Sequence, residues 1–100
     1  MTAPDDDEFE ARVLRCIMVG LSELGDGAGD SLLQYLRLTR GMAPQEVVTR
    51  PEEFDSAVKE VFNESAPYVQ RLIAGAMAAE FGIRGPVRSF SDALKTAQGR

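Results

Sequence analysis

The chain has 100 residues, and its 16 acidic against 11 basic side chains give a net charge of -5, with no histidine. This length fits a single domain, residues 1–100, which buries roughly two thirds of its unfolded surface without needing a metal or disulfide. The acidic balance argues against nucleic acid, because phosphate binding requires a concentrated basic face. With no signal peptide and no long apolar run, the sequence predicts a cytoplasmic protein that does not span a membrane.

The first predicted helix follows an acidic segment, residues 1–6, which we expect to be frayed. It runs from about Asp7 to Leu24, and Gly25 supplies its stop. We interpret the acidic run Asp5–Glu8 as a solubility and helix-dipole feature rather than a cation site. The apolar stripe of this helix comprises Phe9, Val13, Cys16, Ile17, Gly20, Leu21 and Leu24.

Two further apolar residues, Leu14 and Met18, widen that stripe toward a second side of the helix. The first helix therefore either contacts two neighbours within the fold or offers a face to another chain. We favour two internal neighbours and keep Leu14 and Met18 as candidate contacts with a partner.

The glycine-rich segment Gly25–Gly29 superficially resembles a phosphate loop. A dinucleotide fingerprint needs a preceding strand and different glycine spacing, and an EF-hand needs an oxygen ligand where Ala28 stands. We expect an interhelical loop, and we predict no metal site and no cofactor.

The second predicted helix starts between Asp26 and Ser31 and reaches about Thr39, with Gly41 as its stop. Its apolar residues are Leu32, Leu33, Leu36 and Tyr35, of which Tyr35 is a third candidate partner contact. The segment from Pro44 to Val48 fits one further helical turn.

The third predicted helix begins at about Arg50, because Thr49 and Glu52 have the spacing of a capping box and Pro51 suits a first turn. Its single apolar stripe comprises Phe54, Ala57, Val58, Val61 and Phe62. Asn63 suits a left-handed stop, and Ser65 is the predicted cap of the next helix.

The fourth predicted helix, from about Ala66 to Phe81, is apolar around much of its circumference and has no charge from Leu72 to Ala79. Such a helix is usually central in a fold. Gly82 supplies the left-handed stop, and Ile83 is the apolar residue that commonly follows it. This helix is either the hub of the bundle or the surface that meets another molecule.

Glycines inside two predicted helices indicate a close crossing. A glycine within a helix costs about 1 kcal/mol relative to alanine, and it lets two backbones approach. We hypothesise that the first and fourth helices cross near Gly20 and Gly75.

The C-terminal segment, residues 84–100, carries four bases against one acid and a short helix capped near Ser89. Phe90, Ala93, Leu94 and Ala97 of this helix fit packing on the bundle. We interpret the bases Arg84, Arg88, Lys95 and Arg100 as a solvated tail rather than a phosphate site. Taken together, the predicted helices indicate an all-α bundle of four main helices plus a short C-terminal helix.

The sequence lacks the usual parts of a catalytic site. There is no histidine, and Cys16 lies on an apolar stripe, so a buried, inert thiol is expected. Glu80 lies on the apolar side of the fourth helix, and we expect it to reach water at the helix end; the alternative pairs it with an arginine such as Arg84. We predict no enzyme, no catalytic residue and no small-molecule substrate.

Several segments share the register of a known family: Gly20–Gly25, Gly41–Met42, Pro51–Phe54, Ala57–Val58, Val61–Phe62, Arg71–Ile73 and Phe81–Ile83. Over about Val13 to Ile83 the chain resembles the Nitrosopumilus output domain family, archaeal proteins regarded as output modules of signalling systems. The resemblance implies a small helical module, found alone or fused to other signalling domains, and it supplies no catalytic residues.

Two function classes follow from these observations. The first is a protein-interaction or signalling output module that self-associates, for example as a homodimer, or docks a protein partner through an apolar helical face. The alternative is a transcription-associated helical domain in which Arg37, Arg40 and Arg50 contact DNA phosphates. The acidic charge makes this second class the less favoured one.

Overall fold

The computed structural model describes residues 4–99, with side chains from Asp7 onward. Five α-helices make up the described chain: α1 (Pro4–Ser22), α2 (Ala28–Arg40), α3 (Pro51–Phe62), α4 (Ala66–Phe81) and α5 (Phe90–Gln98). Two short 3₁₀ helices, Pro44–Val48 and Asn63–Ser65, lie before and after α3, and the described residues contain no strand. The predicted all-α bundle of four main helices and a short C-terminal helix is confirmed.

The helix α4 is the hub of this bundle, because it contacts α1, α3 and α5. Its inward residues, which include Val69, Ile73 and Met77, are fully buried. The aromatic rings of Phe54 and Phe90, 4.6 Å apart, join α3 to α5 beneath it. The described residues have a Cα radius of gyration of 12.6 Å, close to the value of about 13 Å expected for a folded domain of this size.

Most predicted helix ends are confirmed, and glycine supplies two of them. Gly41 and Gly82 have left-handed backbones with φ of 60° and 64°, and both close the preceding helix through amide hydrogen bonds. The Ile83 amide also donates to the Ala78 carbonyl at 3.0 Å, as expected for a Schellman-type end. Ser89 caps α5 by accepting a hydrogen bond from the Asp92 amide at 3.2 Å.

The predicted capping box at Thr49 is wrong. Thr49 ends the first 3₁₀ helix with a helical backbone, and its hydroxyl donates to the Glu46 carbonyl at 3.2 Å. The box-like contact lies one turn earlier, where the Ala43 amide donates to the Glu46 carboxylate at 2.7 Å. Ser65 makes no side-chain cap either, because the second 3₁₀ helix runs directly into α4.

The first helix begins and ends earlier than predicted. It includes Pro4, three residues before Asp7, since an acid-rich first turn favours the positive end of a helix. It ends at Ser22, which leaves Leu24 in a turn with 38% of its surface exposed. Of the segment expected to be frayed, residues 1–3 lie outside the described chain.

The predicted close crossing is half confirmed. A Cβ atom at Gly20 would lie 3.0 Å from the Cα atom of Ile73, so the backbones of α1 and α4 touch there. Gly75 is not part of this contact: it is exposed, and a Cβ atom on it would meet nothing within 4 Å. On α4 the crossing lies at Leu72 and Ile73, two to three residues before the predicted Gly75.

Candidate interaction surfaces

The outward side of α4 carries an apolar row. Tyr68, Leu72, Gly75 and Ala79 are spaced by four, three and four residues, which places them one above another on a helix. Tyr68 is 49% exposed, Gly75 and Ala79 are exposed, and Leu72 is half-buried. We call these four residues the outer row.

The neighbouring helix α1 extends this row into a wider surface. Val19, 55% exposed, lines a shallow hollow of about 240 Å³ together with Ala76 and Ala79 of α4, and the charged residues Arg15 and Glu80 line the same hollow. Val19, Ala76 and the outer row together form what we call the α1–α4 surface, and none of these residues is charged.

Charged groups mark one end of the α1–α4 surface. The Arg12 guanidinium meets the Glu80 carboxylate at 2.6 Å, donates to the Glu80 carbonyl at 3.1 Å, and lies 4.5 Å from the centre of the Phe81 ring. The expectation that Glu80 simply reaches water is therefore wrong. The alternative, a pairing with an arginine, is confirmed, but the arginine is Arg12 and not Arg84. The partner comes from α1 because α1 and α4 run side by side.

The thiol of Cys16 lies beneath the same surface. It is 3% exposed, and it donates to the Ala76 carbonyl at 3.6 Å. Burial, followed by the charge of Glu80, raises the pKa of Cys16 to about 11. The buried thiol predicted for this position is confirmed, and its raised pKa makes it a poor nucleophile.

A second feature is an open groove of about 750 Å³ between α3, the start of α4 and the segment that precedes α5. Gln70, only 9% exposed, lies at its base. The Gln70 side chain donates to the Asp55 carboxylate at 3.1 Å and accepts from the Phe90 amide at 2.8 Å. One buried amide therefore ties three helices together below the groove.

Three basic residues from three different elements line the groove: Lys59, Arg71 and Arg88. Among the side chains of residues 7–99, their charged ends find no ion-pair or hydrogen-bond partner. Asn63 also lines the groove, and its backbone has a φ of 49° and a ψ of -115°. Such a conformation is rare for a residue with a side chain.

The three residues predicted to contact a partner lie between helices. Leu14 is half-buried against the core. Met18 packs on α2, because a Cβ atom at Gly29 would lie 2.5 Å from its sulfur. The Tyr35 hydroxyl donates to the Glu60 carboxylate at 3.1 Å. A role in partner contact stays a prediction for all three.

Two of the three arginines proposed to contact DNA are held by carboxylates. Arg40 pairs with Glu60 at 2.6 Å, and this hydrogen bond, followed by that from Tyr35, lowers the pKa of Glu60. Arg50 donates to Glu53 at 2.8 Å and lowers the pKa of that carboxyl.

No contact holds the third arginine, Arg37, which is exposed on α2 and makes no ion pair within the described chain. In the C-terminal segment, Arg84 and Arg88 are exposed and Lys95 pairs with Glu52 at 3.1 Å. Arg100 lies outside the described residues.

The sequence does not single out the outer row, because the fourth helix is apolar around much of its circumference. The spacing of Tyr68, Leu72, Gly75 and Ala79 was visible in the sequence, but only the structure shows which side faces outward. The groove brings Lys59, Arg71 and Arg88 together only through tertiary packing, so no local pattern in the sequence predicts it.

Comparison with protein-family models, curated proteins and solved structures gives no match for this chain. Across residues 7–99, whose side chains the structure describes, no group of three or more acidic or cysteine side chains is placed to hold a metal ion. None of the described helices combines the length and apolar character that crossing a membrane requires.

Proposed function

We propose that this chain is a non-enzymatic helical interaction module that self-associates through the α1–α4 surface. The observation that supports this proposal best is the self-complementary shape of the outer row, in which two large residues, Tyr68 and Leu72, precede two small ones, Gly75 and Ala79. Isologous dimers require such a surface, since both subunits use the same patch.

The row has a simple pairing with a second copy. If two α4 helices lie antiparallel about a twofold axis midway between Leu72 and Gly75, Leu72 of one copy faces Gly75 of the other. The same operation places Tyr68 opposite Ala79, so every large side chain meets a small one. The exposed Gly75 then provides the space that Leu72 fills.

The charge distribution favours contact at this surface. The chain has a net charge of -5, so two copies repel each other over most orientations. No member of the α1–α4 surface is charged, and the two charged residues beside its hollow, Arg15 and Glu80, are of opposite sign. Association would remove Tyr68 and Val19 from water, which is the main favourable term in most protein association.

The resemblance to archaeal output domains agrees with this proposal, because a self-associating helical module fused to other domains can transmit a change in assembly. The DNA-binding alternative has weaker support, since phosphate contacts by Arg40 or Arg50 require loss of their ion pairs with Glu60 and Glu53.

Light scattering coupled to size exclusion, across a series of protein concentrations, tests the proposal. We expect the wild-type chain to move from monomer to dimer, and the Gly75→Glu variant to remain monomeric because its carboxylate would be buried opposite Leu72. The variant should fold at least as stably as the wild type, since glutamate is a better helix former than glycine.

Gln34→Glu, which adds the same charge at an exposed position of α2, is the matched control and should dimerise normally. A wild-type chain that stays monomeric at every concentration would contradict self-association, as would a Gly75→Glu variant that dimerises like the control.

A further inference from the structure

We propose that the groove between α3, α4 and α5 binds an acidic peptide segment of a partner protein. This site is separate from the α1–α4 surface and does not rest on the function proposed above. Its distinguishing feature is the convergence of Lys59 from α3, Arg71 from α4 and Arg88 from the segment before α5.

The local charge of the groove is opposite to that of the molecule. Three bases and two acids, Asp55 and Glu64, line it, whereas the whole chain has 11 bases against 16 acids. Asp55 is already engaged, because its carboxylate accepts the Gln70 amide at 3.1 Å. The bases, in contrast, have no acceptor within the described chain and stay available for carboxylates.

The groove also offers apolar contact. Ala66, Pro67 and Val87 line it beside the charged groups, and its volume of about 750 Å³ lies within the range of ligand sites in general, roughly 300–1,000 Å³. A peptide that combines carboxylates with apolar side chains would satisfy both parts of the lining.

The same lining disfavours a nucleic acid. A phosphate backbone is negative at every step, and Asp55 and Glu64 would repel it at two points of the groove. A peptide can place an apolar or neutral residue at those points and its carboxylates at Lys59, Arg71 and Arg88.

The groove is fixed before any ligand arrives. Gln70 holds the Phe90 amide at 2.8 Å, and Ser89, itself part of the lining, caps α5 through the Asp92 amide. Little of the binding free energy would therefore be spent on ordering the protein.

Fluorescence anisotropy with a fluorescein-labelled peptide, acetyl-Asp-Leu-Glu-Asp-Leu-Glu, tests the proposal. We expect saturable binding that weakens as salt is added, and no binding of the Asn and Gln analogue. Lys59→Glu and Arg71→Glu should each weaken binding by about tenfold or more, since each removes a charge-assisted contact and adds a repulsive one. Both residues are exposed and unpaired, so circular dichroism should show both variants folded.

Arg37→Glu provides the matched control, because it makes the same charge change at an exposed arginine of α2 outside the groove lining. Equal loss of binding in Arg37→Glu, or no loss in the groove variants, would mean nonspecific attraction and overturn the proposal. Displacement of the peptide by inorganic phosphate or duplex DNA at lower concentration than by unlabelled peptide would overturn it as well. Val19→Glu, which places a charge on the α1–α4 surface from α1 and lies outside the groove lining, should retain peptide binding, which separates this test from that of self-association.

Discussion

The backbone of Asn63 is the most unusual conformation among the described residues, because it is the one residue other than glycine with a positive φ. It ends α3 and starts the 3₁₀ turn that leads into α4, so the chain must reverse direction over very few residues. Asparagine tolerates positive φ better than most residues, but glycine tolerates it without steric strain.

Replacing Asn63 by glycine should therefore raise the free energy of unfolding by about 1 kcal/mol, the relief of strain exceeding the extra entropy of the unfolded chain. Thermal unfolding followed by circular dichroism would measure this change. Asn63→Ala provides the contrast and should lower stability, since alanine has neither freedom at positive φ nor a polar side chain. Equal melting temperatures for the two variants would contradict this account.

The buried thiol of Cys16 gives a second prediction at the scale of one residue. Its pKa rises from 9.0 to about 11 in the fold, so the stability that comes from burying the neutral thiol is complete below pH 9 and is lost as the pH rises through about 11. At about pH 8 the folded chain should react with iodoacetamide about a hundredfold more slowly than the unfolded chain, from the thiolate fraction alone. Mass spectrometry with and without denaturant would measure both rates, and similar rates would show that the thiol is accessible.

At the scale of helices, Gly20 and Gly75 both lie inside a helix, but their surroundings are opposite. Gly20 lies where α1 and α4 touch, and the nearest atoms to an added Cβ would be backbone atoms of Leu72 and Ile73, which cannot rotate away. Gly75 faces open space on the outer row. The same substitution should therefore have opposite effects at the two sites.

Gly20→Ala should lower the free energy of unfolding by about 1 to 2 kcal/mol, because overpacking at the crossing exceeds the gain in helix propensity. Gly75→Ala should raise it by up to about 1 kcal/mol, since only the helix propensity changes. Denaturant titrations of dilute protein would compare the two variants directly. A stabilised Gly20→Ala variant would mean that α1 can move away from α4 at little cost.

The helix ends show what a sequence can predict at this scale. Gly41, Gly82 and Ser89 act through their own backbone or the next few residues, so their roles follow from local sequence. The prediction of a capping box at Thr49 is wrong because Thr49 belongs to the turn that closes the first 3₁₀ helix, where its amide bonds to the Glu46 carbonyl. The third helix therefore starts at Pro51. The sequence contains two overlapping signals for a helix start, one at Ala43 with Glu46 and one at Thr49 with Glu52. Spacing alone does not show which of them forms.

At the scale of the whole molecule, the fold class was predictable and the surfaces were only partly so. Helical periodicity identified the buried stripes, since burial follows the same repeat as the helix. The Arg12–Glu80 pair joins positions 68 residues apart, and no local pattern indicates which arginine meets Glu80. The groove has the same origin, because it exists only where three separate elements meet.

The unequal distribution of charge also belongs to the whole molecule. The acidic chain keeps most of its surface repulsive to a second copy, whereas the uncharged α1–α4 surface and the partly basic groove depart from that average in different ways. The two surfaces would therefore respond differently to ionic strength: added salt should favour self-association by screening repulsion and should weaken peptide binding.

The position of Gln70 has a consequence for communication between parts of the molecule. Its amide joins Asp55 of α3 to the first amide of α5, and it also lines the groove, so any ligand that reorients this side chain alters the attachment of the C-terminal helix. For such a ligand we expect local opening of α5 and occupancy of the groove to be thermodynamically linked, in the sense that each changes the free energy of the other. The hydrogen-exchange rate of the Phe90 amide would act as a built-in sensor of events in the groove.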